Sequence, residues 1–199
     1  MATFGAYLRL DNGNIFVTPD STPMCLYSRV ALNSSQQQTI AVPDGKPVMV
    51  FIKNTDDTAT GLAYRASSST VVIPPGNGYA YIFSIFPPSL PRWGMAIWNA
   101  SGELVLTNES KILTDLVTVG TAGSSGGIYI DQTLSGSYAV VPQILGAVVG
   151  MGSATIYTEA YYNGSTTRIR GKQVGSLQQA YSYINHGNAI TAIKTDAYD

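Results

Sequence analysis

Leu8, Leu10, Ile15 and Val17 fall at alternate positions on either side of Asn12-Gly13, with Tyr7, Arg9, Phe16 and Thr18 between and beside them. A period of two is the signature of a strand, and Asn-Gly supplies the positive backbone angles of a tight reversal, so residues 4–17 predict a β-hairpin. A two-residue turn at Asn12-Gly13 would set Leu10 opposite Ile15, Arg9 opposite Phe16 and Leu8 opposite Val17. Leu8, Leu10, Ile15 and Val17 would then form the core side.

The pattern recurs. Sliding the chain by 89 positions lays Gly94 on Gly5, Gly102 on Gly13, Thr107 on Thr18 and Ser110 on Ser21, with Trp93 on Phe4, Ile97 on Leu8 and Leu106 on Val17. Coincidence of turn and apolar phase predicts a second hairpin and a possible duplication. The outer sides of the two hairpins carry Tyr7, Arg9 and Phe16 in one and Trp98 and Val105 in the other, bulky enough to predict cover by another domain or subunit.

Between these hairpins, short apolar runs at 24–32, 39–42, 48–53, 61–66, 70–73 and 79–86 alternate with Gly, Pro, Asn and Asp clusters. That rhythm predicts antiparallel strands and not helix-crossover units. Three prolines in Phe86-Pro87-Pro88-Ser89-Leu90-Pro91 form a stiff connector and predict a boundary, with an N-terminal β module at 1–88 and a C-terminal β module at 89–199. The fold class expected is all-β: two tandem antiparallel β-sandwich-like modules and one short helix in the C-terminal region. That helix is expected at 177–186, from a Ser176/Gln179 capping box, an apolar stripe of Leu177, Ala180, Tyr181 and Ile184, and a stop at Gly187.

A further hairpin signal lies at Asn163-Gly164. A two-residue turn there would set Tyr161 opposite Thr166, Glu159 opposite Arg168 and Tyr157 opposite Arg170. Tyr157, Glu159, Tyr161, Arg168, Arg170 and Lys172 would then share one face. Tyrosine and arginine cover area while keeping a polar handle, so this face is the candidate contact patch. The alternative is a solvated face held by a cross-strand Glu-Arg pair.

Composition narrows the function. Charged residues are 12% of the 199, and the net charge of −1 gives no electrostatic basis for nucleic-acid binding. Cys25 stands alone, so no internal disulfide is available, and the single histidine, His186, leaves little material for metal or Cys-His chemistry. Gly120, Gly123 and Gly126 lack the following helix and the lysine of a phosphate cradle. Residues 140–152 are apolar, yet too short and too interrupted for a membrane span and better suited to a buried strand or an inter-subunit surface. The N-terminus lacks the pattern of a signal peptide, so synthesis in a cytosol is expected. The Asn-x-Ser matches at Asn33, Asn99, Asn108 and Asn163 then predict turn chemistry and not glycan acceptors. No catalytic residues, cofactor or metal are expected, and the chain is not expected to be an enzyme.

The motifs Leu10-Asp11-Asn12-Gly13-Asn14, Phe16-Val17-Thr18-Pro19, Ser21-Thr22-Pro23 and Leu26-Tyr27 open the chain. With Trp93-Gly94, Gly102-Glu103-Leu104 and Asn108-Glu109-Ser110 they resemble a family encoded in the tail modules of tailed bacteriophages and prophages. What the resemblance implies is a virion structural protein at the tail tip or on a tail fibre, made in the host cytoplasm and acting by protein-protein assembly. Its expected partners are other phage tail proteins and further copies of itself. A receptor- or glycan-binding module of the tail, or a capsid decoration or tail-assembly factor, are the alternatives. No nucleic acid and no membrane insertion are expected.

Overall fold

The computed structural model describes residues 22–99 and 101–199, together with the backbone pairing of Leu8–Arg9 and Ile15–Val17. The described chain is all-β. Its strands in order are β1 (Leu8–Arg9), β2 (Ile15–Val17), β3 (Cys25–Ala31), β4 (Gln38–Ala41), β5 (Val48–Asn54) and β6 (Tyr64–Ser67). Next come β7 (Thr70–Ile73), β8 (Gly78–Ser84), β9 (Ala96–Trp98), β10 (Leu104–Thr107), β11 (Leu116–Val119) and β12 (Asp131–Ser135). The last are β13 (Tyr138–Val140), β14 (Ile144–Gly150), β15 (Gly152–Tyr162), β16 (Thr166–Val174), β17 (Ala180–Asn185) and β18 (Ile190–Lys194).

Two antiparallel ladders dominate. One runs β3-β8-β5-β13-β18-β11 and the other β12-β16-β15-β14-β17, and a single parallel bridge between Asn54 and Tyr161 joins them. They pack as a sandwich, because Val119, Val140, Ile190 and Ala192 of the first meet Leu145, Val148, Ile156 and Ile169 of the second in one buried cluster. A small sheet, β4-β7-β6, covers the other part of the same face, with Val71 and Ile73 against Ile82, Ile52 and Ala80. The reverse face buries Phe51, Tyr81 and Phe83 with Ile193 and Tyr198; Phe83 stands edge-on to both Phe51 and Tyr198.

The strands on either side of residue 88 therefore share a sheet: Ile52 of β5 pairs with Val140 of β13. The prolines interrupt the ladder without dividing the core, since Phe51, Tyr81 and Phe83 pack with Ala139, Ile193 and Tyr198 in one buried cluster. The relation between the hairpins does hold in backbone pairing. Leu8 pairs with Val17 and Arg9 with Ile15; displaced by 89, Ile97 pairs with Leu106 and Trp98 with Leu104. Both hairpins carry a register shift at the same place, so the expected Arg9-Phe16 pairing is replaced by Arg9-Ile15, while the expected Leu10-Ile15 pair lies outside the described residues. Beyond the hairpins the likeness stops: β3 pairs β8, whereas β11 pairs β18.

The expected helix at 177–186 is a strand. β17 pairs antiparallel with β14, Ile184 opposite Ala147 and Tyr183 opposite Val148. Tyr, Ser, Ile and Asn are weak helix formers, and the open edge of β14 bonds alternate residues of Ala180–Asn185 in a ladder that outcompetes an isolated short helix. Gly146 and Gly150 admit the new strand, because a Cβ on either would strike the carbonyl of Ile184 or Gln179. Of the proposed helical stripe, Leu177 alone reaches the main core.

Candidate functional site

The hairpin of β15 and β16 turns at Gly164-Ser165, one position later than the Asn-Gly signal suggested. Asn163 takes the preceding position, where its side-chain Oδ1 accepts hydrogen bonds from the Ser165 and Thr166 backbone N–H at 3.0 and 2.9 Å. The ladder therefore slides: Tyr161 faces Arg168, Glu159 faces Arg170 and Tyr157 faces Lys172. The slip preserves parity, so all six residues still share one face, with each expected partner replaced by the next on that face.

Two acidic loop or edge residues, distant in sequence, complete this face. Asp57, from the loop after β5, binds the Lys172 Nζ at 2.9 Å and the Arg170 guanidinium at 2.5 Å. Asp131, at the start of β12, accepts from the Arg168 Nε at 2.8 Å. Glu159 is fully buried, 0% exposed; its Oε2 accepts from Arg170 Nε, and its Oε1 has Lys172 Nζ at 3.7 Å but no hydrogen bond. Three cations thus meet three carboxylates, and the face is neutral overall. Burial pushes the Glu159 carboxyl above its ordinary value, with Arg170 pulling the other way, while the Lys172 ammonium holds Asp57 well below the usual carboxylate range.

Arg168, Arg170 and Lys172 are each engaged with a carboxylate of the chain. What the face leaves for a ligand is a pair of grooves separated by Asp57. One, of about 520 Å³, is lined by Tyr157, Lys172, Val174, Pro74 and Pro75; the other, of about 300 Å³, by Tyr161, Asn163, Thr133 and Arg168.

A second charged centre lies near the Asn54-Tyr161 bridge. Lys53, 4% exposed, donates to Ser137 Oγ at 2.8 Å, Thr195 Oγ1 at 3.1 Å and Asp199 Oδ2 at 2.8 Å, with the rings of Tyr81 and Tyr162 each 5.4 Å from its ammonium. Asp199 also binds Arg29 Nε at 3.2 Å and accepts from the Tyr81 hydroxyl. Ser137 beside a lysine has the composition of a nucleophile and base, yet the lysine nitrogen is paired with Asp199 and both side chains are buried. The arrangement works as a clamp.

The predicted outer face of the second hairpin divides. Trp98 is 53% exposed, but Val105 is buried with Leu106 against Ile97 and Ile112. The register shift at Leu104–Leu106 puts two consecutive residues on the inner side, which strict alternation forbids. Tyr7 and the side chains of Arg9 and Phe16 lie outside the described residues. In the eight residues before Trp98, Leu90, Met95 and Trp93 are exposed as well, the last 87%.

Cys25 is buried, and burial pushes its thiol up to about 11. Among the described residues no group of three or more His, Cys, Asp or Glu is placed to hold a metal, and no helix is long and apolar enough to cross a membrane. No known family, curated protein or solved structure matches the chain.

Proposed function

We propose that the protein is a structural component of a phage tail, at the tip or on a fibre, and acts by binding neighbouring proteins. The observation that carries this reading is the concentration of exposed large apolar side chains at Leu90, Trp93, Met95 and Trp98, on and before a small hairpin. Tryptophan on a surface contributes little to the monomer and much to an interface, where it is enriched among the residues that dominate binding. The sequence resemblance supplies the partner class: another protein of the tail.

Replacing Trp98 by serine therefore leaves the melting temperature of the isolated protein within about 2 °C, because the side chain is half in water already. Incorporation into particles, measured by quantitative mass spectrometry of purified virions from a complemented deletion, falls at least ~10-fold. Normal incorporation of this variant and of Trp93→Ser would remove the basis for the reading.

The grooves beside Asp57 support a second reading, a receptor- or glycan-binding module. Tyr157 and Tyr161 are half-buried platforms flanked by polar groups, the composition that holds a sugar ring. Retention of the protein on host cells, abolished by Tyr157→Ala and Tyr161→Ala, would favour it over assembly alone.

A further inference from the structure

β17 ends the five-stranded ladder, with β14 on one side and no described strand on the other. A free edge is a row of unpaired backbone donors and acceptors, and proteins ordinarily protect it with charge, proline or a bulge. β17 has neither charge nor proline. Its register shift falls at the Ala180–Ser182 end, leaving Ser182–Asn185 straight.

The direction of its free groups follows from the ladder. The His186 N–H donates to the Leu145 carbonyl at 3.0 Å, in register with Gly146-Asn185. Antiparallel ladders alternate, so Ile184 and Ser182 also bond towards β14, while the N–H and C=O of Tyr183 and Asn185 point away. Tyr183 is 62% exposed and Tyr181 63%, with Ile184 and, on β14 and its turn, Val149 and Met151 exposed beside them.

We propose that this edge pairs with β17 of a second copy, antiparallel about a twofold axis through Tyr183, so that the five-stranded ladder continues across the dimer. The proposal rests on the assembly reading and names one of its partners. Charge selects the occupant: residues 173–193 contain no Lys, Arg, Asp or Glu, so an acidic or basic strand finds no complement there, whereas an identical strand meets no repulsion. Twofold antiparallel pairing is also self-complementary, each free N–H of one copy meeting a free C=O of the other. Tyr183, paired with the core-facing Val148, lies on one face of the sheet and Ile184 on the other, so pairing about this axis sets the Tyr183 rings of the two copies side by side on one face.

The test uses the full-length protein in sedimentation equilibrium at ~50 µM, where a dimer of micromolar Kd is mostly associated. The wild type is expected to be a dimer. Tyr183→Pro deletes an N–H that β14 does not use, so it is expected to keep the fold and weaken the dimer at least ~10-fold. Should proline unfold the edge, Tyr183→Lys introduces like charges across the axis and is expected to do the same. A monomeric wild type, or a dimer unaffected by a folded variant, overturns the proposal. Failure here is separable from failure of the assembly reading: a monomer that still enters particles sinks only the twofold contact, and a dimer absent from particles sinks only the tail assignment.

Discussion

Replacing Lys53 by alanine is expected to lower the stability of the protein by about 3 kcal/mol, or roughly 6–12 °C in melting temperature for a chain of this size. The ammonium is almost wholly enclosed and holds Ser137, Thr195 and Asp199 together, joining β5 to the segment around β13 and the residues after β18. Removing it leaves the two hydroxyls to each other and the Asp199 carboxylate to Arg29 and Tyr81. The cost is held near the lower end of the range for a broken buried pair because Asp199 is about a third exposed. Lys53→Met fills the same space between the tyrosine rings and recovers part of the loss. Denaturant unfolding monitored by tyrosine and tryptophan fluorescence reads both variants; a loss under about 1 kcal/mol for the alanine would show that the clamp is dispensable.

Arg170→Ala is expected to cost about 3 kcal/mol at neutral pH, because it strands a carboxylate that has no access to water. The pH dependence identifies the cause. Glu159 already has a raised value, so its charged form is the costly one, and as pH falls through that value the proton removes the unpaired charge. The deficit of the variant therefore shrinks as pH is lowered from neutral towards the ordinary 4.5 of a free glutamate, whereas loss of packing alone would be independent of pH. Asp57 behaves oppositely. Its value is depressed, so its contribution is present above the ordinary 3.8 of a free aspartate and is lost only as pH falls through the depressed value. Mild acid consequently leaves the loop at Asp57 attached to β16 in the wild type. The double variant Glu159→Gln/Arg170→Met, with no charge to bury, is expected to be more stable than Arg170→Ala by at least about 1 kcal/mol. A deficit that does not change with pH would contradict this account of the network.

Local chemistry was legible in the sequence and long-range pairing was not. Asn33, Asn99 and Asn163 each accept backbone N–H bonds two to four residues ahead, as residues of that type do in turns; Asn108 instead accepts from Met95 across its hairpin. The face shared by Tyr157, Glu159, Tyr161, Arg168, Arg170 and Lys172 was readable because a turn placed one residue off still conserves parity. The partners Asp57 and Asp131 were not, since each arrives from another strand connection and nothing near it in the chain points to β16. Alternation places Lys53 on the side of Phe51, which hints at burial, but its ligands come from residues 137, 195 and 199. The failed helix is instructive in the same way. Ser176 and Gln179 form a capping pattern and Leu177 points inward, yet the edge of β14, invisible locally, offers Ala180–Asn185 a ladder that outweighs a marginal helix. The second hairpin repeats the first in register, but bulges escape a rule of strict alternation, and Val105 is therefore inside.

We propose that this β protein works by being built into a phage tail. Antibody labelling of particles purified from induced cells that carry its gene, with mass spectrometry to confirm its presence, tests that most directly. Label confined to tails, at the tip or along fibres, is the expected result. Label on heads, or the absence of the protein from finished particles, would contradict it.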